Sequence, residues 1–145
     1  MNFISLSLKV YYNCLYLNLF YKVDVTTTCA NTVSLDSSIS SPNFPFKLNN
    51  NEMCTWAIIA PSGRQVQIKF EDFRLDPSKD NLIIYDGPSK NSAMIQKLNG
   101  TSLPTDVIST GNSLFLEFKS DENKYYNGFN LKYLIKGTLI QMTLR

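Results

Sequence analysis

Hydrophobic and polar positions along most of this chain alternate with a period of two. Val66, Ile68 and Phe70 alternate with Gln65, Gln67 and Lys69, the pattern of a strand with one face buried. Trp56 and Ile58 share one face of the run Thr55–Ile59, and Leu82 and Ile84 one face of Asn81–Tyr85. Leu114, Leu116 and Phe118 alternate with Phe115, Glu117 and Lys119; Phe129, Leu131 and Tyr133 alternate with Asn130 and Lys132. Met94-Ile95 and Val107-Ile108 read as shorter strands. Turn signals separate the runs, among them Pro61-Ser62-Gly63 and Asp86-Gly87-Pro88. No segment keeps a helical apolar stripe for three turns. Short strands joined by connections too short for a helical crossover predict an all-β fold, a two-sheet antiparallel β-sandwich. Its expected core is Trp56, Ile58, Val66, Ile68, Phe70, Leu82, Ile84, Leu116, Phe118, Phe129 and Leu131.

The N-terminal part follows other rules. Residues 1–23 are apolar and aromatic, lack Gly and Pro, and carry Lys9, Asn13 and Asn18 inside the apolar run. They read as an atypical secretion signal, a membrane anchor, or the product of a fragment boundary or misplaced start. From Asp24 the texture turns to Thr, Ser, Asn and Asp, an irregular lead-in reaching Met53. The expected organisation is therefore an N-terminal segment 1–23, one domain 24–135 and a tail 136–145, within a length of 145 residues that suits a single domain.

Composition removes several kinds of chemistry. Histidine is absent, which excludes Ser-His-Asp and Cys-His catalysis and His-ligated zinc or haem. Three cysteines cannot make a four-sulfur metal site, and one of them must lack an intrachain partner. Between Cys29 and Tyr133 ten Lys and Arg stand against eleven Asp and Glu, so the +2 net charge comes from the chain ends. No basic face for nucleic acid can be built from that balance. An enzyme would have to work with carboxylates, Lys, Tyr or Ser alone, so a non-catalytic binding or structural domain is the leading reading. Cys29 and Cys54 are either a bridge between the lead-in and the Trp56 strand or two separate thiols; Cys14 is expected to stay unpaired. Asn99-Gly100-Thr101 is an N-glycosylation sequon in a Gly-containing turn, which agrees with an oxidising compartment.

Acidic residues gather in two places, Glu71–Asp80 and Asp121-Glu122. Asp76 and Asp80 flank a proline-bearing turn, and Asp121 opens a loop after the Phe118 strand. At one end of a sandwich these would converge as hard oxygen ligands suited to calcium; otherwise they are solvated loop acids.

Several short motifs follow one another along the chain: Ser41-Pro42-Asn43-Phe44-Pro45, Cys54-Thr55-Trp56-Ala57-Ile58, Phe70-Glu71-Asp72-Phe73, Asp80–Gly87, Phe118–Asp121 and Gly128-Phe129. In this order and at this spacing they resemble the CUB domain, an extracellular β-sandwich module of complement proteases, tolloid-like proteases, spermadhesins and cubilin-like receptors; the first is similar to the family's S-P-x-Y-P and the second to its C-x-W-x-I. The resemblance runs from Cys29 to about Tyr133 and implies a jelly-roll-like sandwich with a Cys29–Cys54 disulfide. The family's second bridge would need cysteines near Ser78 and Asn99, and both are missing. In calcium-binding members the positions matching Asp76, Asp80 and Asp121 hold the ion, and Asn123 would add a loop oxygen. The family further implies no enzyme but a secreted or cell-surface recognition module, whose protein partner brings a Lys or Arg to the calcium site. The alternatives are a structural spacer beside a protease or receptor domain, and a calcium-independent, spermadhesin-like ligand or glycan binder.

Overall fold

A computed structural model describes residues 6–14, 19–122 and 125–137. Among them ten strands form two antiparallel sheets. In chain order they are β1 (Leu6–Cys14), β2 (Leu19–Thr27), β3 (Ser38–Ser40), β4 (Met53–Ile59), β5 (Gln65–Arg74), β6 (Asn81–Asp86), β7 (Ala93–Leu98), β8 (Val107–Ile108), β9 (Ser113–Lys119) and β10 (Gly128–Lys136). One sheet runs β1-β2-β4-β9-β6-β7 and the other β3-β10-β5-β8. The β-sandwich expected from the alternation is the fold observed.

The inward faces carry the expected core. All eleven expected side chains are buried, and Val23, Val25, Ile39, Cys54, Phe73, Leu75, Leu114 and Tyr133 join them. Phe129 sits at its centre, edge-on to Trp56 with ring centroids 5.7 Å apart and to Phe118 at 5.3 Å. The Trp56 indole N–H donates to Thr32 Oγ1 at 3.0 Å, so its one polar atom is satisfied inside the apolar layer.

The lead-in is less irregular than its composition suggests. β2 runs through residue 24, where a domain boundary was expected, and pairs Asp24–Thr27 with β4. β1 pairs antiparallel with β2 and adds an outer strand to the larger sheet. Among the described residues no helix is long and apolar enough to cross a membrane. β3 also went unseen, because three residues of Ser-Ile-Ser give no period; Ile39 is nonetheless fully buried.

The strands place the acidic segments at one end. β5 finishes at Arg74 opposite Gly128, the first residue of β10, and β6 starts at Asn81 opposite Lys119, the last residue of β9. The segments 75–80 and 120–122 therefore leave the sandwich at the same end.

Candidate functional site

Asp80 joins those two loops. It is 2% exposed, and its carboxylate accepts the backbone N–H of Asp76 at 3.0 Å on one oxygen and that of Asp121 at 3.0 Å on the other. Three aspartates spread over 45 residues of sequence are thus gathered around one side chain. Burial pushes the Asp80 carboxyl above its ordinary value; the two backbone hydrogen bonds oppose this, while the charges of Asp121 and Asp76 add to it.

Asp76 is also buried, 6% exposed, and Pro77 turns the chain directly after it. Its Oδ1 accepts the Ser78 N–H at 2.8 Å and the Ser78 hydroxyl at 2.7 Å, an Asx turn that holds the carboxylate at the head of the loop. Asp121 is fixed through its backbone, since its carbonyl accepts the Asn51 N–H at 3.0 Å. Ser120 Oγ accepts from Glu52 N at 2.9 Å and donates to Asn49 O at 3.1 Å. The segment Asn49–Glu52 is therefore a bracket for the Ser-Asp turn. It was missed as part of the site, although Asn49-Asn50-Asn51 carried a signal: Asn51 adopts φ 52°, a left-handed conformation that Asn tolerates. Asn123 lies outside the described residues.

The donor set suits calcium in kind, with three hard carboxylates on loops and carbonyls nearby. It is not drawn together to ligand spacing. Among the described residues the one trio of acidic or thiol ligand atoms within 4.8 Å of one another is Cys29, Glu52 and Cys54. That cluster can coordinate a metal only with free thiolates, and Cys29 and Cys54 are joined in a disulfide with Cα atoms 5.5 Å apart. With the bridge intact, only the Glu52 carboxylate remains there for a cation.

Asn99, the sequon residue, is exposed at the end of β7. The neighbouring Gly100 carbonyl accepts the Leu75 N–H at 2.9 Å, so the sequon turn lies against the start of the acidic loop. The Ser78 and Asn99 regions, where the resemblance puts a second bridge, meet here through a backbone hydrogen bond.

Comparison with known proteins agrees with this architecture. Cubilin from Canis lupus familiaris is 34% identical over 112 residues, covering 74% of this chain and 3% of cubilin. Tolloid-like protein 1 from Homo sapiens is 33% identical over 95 residues, 63% of this chain and 9% of that protein. The chain thus spans only a small part of the relatives it matches. Among solved structures, the full extracellular region of zebrafish Gpr126/Adgrg6 superposes with TM-score 0.62 at 30% identity, over 70% of this chain and 14% of that one. The MASP-1 CUB2 domain bound to Ca2+ superposes with TM-score 0.61 over 72% of this chain and 98% of its own; at 22% identity it attests the fold alone. The CUB domain profile matches residues 29–133, from the first cysteine of the disulfide to the last core residue of the β10 alternation, and the chain belongs to the CUB domain family.

Proposed function

We propose that this module is a calcium-dependent recognition domain of a larger extracellular protein. As a CUB domain it is non-catalytic, and its disulfide belongs to an oxidising, extracellular setting. The observation that carries the reading is the buried Asp80 carboxylate spanning the Asp76 and Asp121 backbones. Calcium bound by Asp76, Asp80 and Asp121, with Asn123 as a further loop oxygen, would relieve the repulsion that these acids impose on one another. The acidic oxygens not taken up by the ion would accept a charge-assisted hydrogen bond from a Lys or Arg of the partner protein.

The test is calorimetric titration of the full chain with calcium, with magnesium as control. The expected dissociation constant is of extracellular grade, roughly 10⁻⁴–10⁻³ M. At one hundred times that constant, calcium should add about 2.7 kcal/mol to stability, roughly 10 °C in melting temperature. Asp121→Ala, at a half-buried ligand, should lose most of that gain. Asp86→Ala should keep it: Asp86 accepts the Thr110 N–H at 2.9 Å and its hydroxyl at 2.7 Å, at the far end of the sandwich. No heat and no melting shift at several millimolar calcium would remove the ion from the reading.

A further inference from the structure

The acidic end already holds a cation. Lys79 lies in the turn between Asp76 and Asp80, and its ammonium stands 3.4 Å from Asp121 Oδ2. The pair crosses the same gap that Asp80 spans through the Asp121 N–H, so Lys79 faces an oxygen of the proposed ligand set. The two side chains differ in access to water: that of Lys79 is 62% exposed and that of Asp121 24% exposed.

We infer that Lys79 is a tethered cation that sets the calcium affinity of this chain, offsetting the Asp121 charge when no ion is bound and giving way when calcium arrives. This rests on the calcium reading above. An exposed ion pair of this kind is weak, and lysine is a hydrated point charge on a flexible stem, so it can swing into solvent without rearranging the loop. Its charge nevertheless opposes a divalent ion at the neighbouring carboxylates. That repulsion is screened over about 10 Å at 0.1 M salt and about 3 Å at 1 M, so the effect on affinity should be a low-salt effect.

The test is calorimetric titration of the full chain with calcium chloride in low and in high sodium chloride. The proteins compared are the parent, Lys79→Met, which keeps the apolar stem and removes the charge, and Lys79→Arg, which keeps the charge. At low salt Lys79→Met should bind calcium roughly threefold to tenfold more tightly than the parent. Lys79→Arg should match the parent, and the difference should shrink at high salt. In EDTA, Lys79→Met should melt below the parent, because the favourable Lys79–Asp121 pair is then gone. Equal calcium constants for the parent and Lys79→Met, or a weaker one for the variant, would overturn the inference and leave the calcium reading intact. Absence of heat from parent and variant alike would overturn both.

Discussion

At Asp80, burial and neighbouring charges both work against the ionised carboxylate. Water scarcely reaches its carboxylate, two other aspartates lie close, and only two backbone N–H groups favour its charge. A carboxyl whose folded value is raised binds its proton more tightly in the folded protein than in the unfolded chain. Its contribution therefore favours folding below the ordinary value of 3.8 and is lost as the pH climbs through the raised value. In EDTA, Asp80 should make stability decline across that window. Asp80→Asn should remove this part of the slope while lowering stability overall by about 1–3 kcal/mol, because an amide nitrogen cannot accept the second backbone N–H. Urea denaturation of both proteins between about pH 4 and pH 7 would show it, and parallel profiles would refute it. Saturating calcium should counter the decline, since the ion prefers the ionised acid. The placement of Asp76, Asp80 and Asp121 at strand ends was legible in the sequence. The bridging through backbone N–H groups was not, because those donors come from residues whose identity says nothing about where their amides point.

Within the elements, alternation predicted which face of each strand is buried but not where the alternation breaks. Phe70 and Phe73 are three residues apart in β5 and would face opposite ways in a regular strand, yet both are buried. The register against β10 shifts between Asn130 and Leu131, whose partners are Asp72 and Phe70, and the bulge at Glu71 restores Phe73 to the core. Two further motifs turn out to be a single contact. Ser41 Oγ accepts the Phe129 N–H at 3.0 Å, and the Ser41 N–H donates to Phe129 O at 3.0 Å. Gly128 has φ 90°, and a β-carbon there would collide with the side chain of Ser41 and lie 3.0 Å from Leu48 Cδ2. Both walls are buried. Gly128→Ala should accordingly cost about 2–4 kcal/mol, above the usual penalty for leaving a left-handed glycine position, since crowding adds to backbone strain. A loss below about 1 kcal/mol in urea denaturation would mean that the lead-in moves aside more readily than this packing suggests.

At the scale of the whole molecule, the lead-in is held by the Cys29–Cys54 bridge and by Thr32, whose hydroxyl donates to Cys29 O at 2.8 Å while accepting from Trp56. The bridge spans a sequence separation of 25 and encloses β3, so chain entropy assigns it roughly 3–4 kcal/mol. The double variant Cys29→Ser/Cys54→Ser should lose about that much in urea, and reducing the parent should give the same loss; an unchanged midpoint would mean that packing alone docks the segment. A single sequence could not decide between a bridge and two thiols by spacing, since bonding depends on whether folding brings the Cα atoms close enough. The same limit applies to the sequon, whose use depends on exposure, and here the fold supplies the missing fact. Asn99 is exposed, in a turn tied to the start of the acidic loop. Secreted from a eukaryotic host, the chain should carry a glycan on Asn99, seen as a mass loss on glycosidase treatment and absent from Asn99→Gln. A neutral glycan adds no charge near Asp76, so glycosylated protein and protein trimmed by an endoglycosidase to a single sugar, which leaves the Asn99 amide uncharged, should bind calcium with the same constant. The sugar would instead stand beside the acidic loop and narrow the directions from which the Lys or Arg of the proposed partner would reach Asp121. An unchanged mass after treatment would leave that approach open on the β7 side.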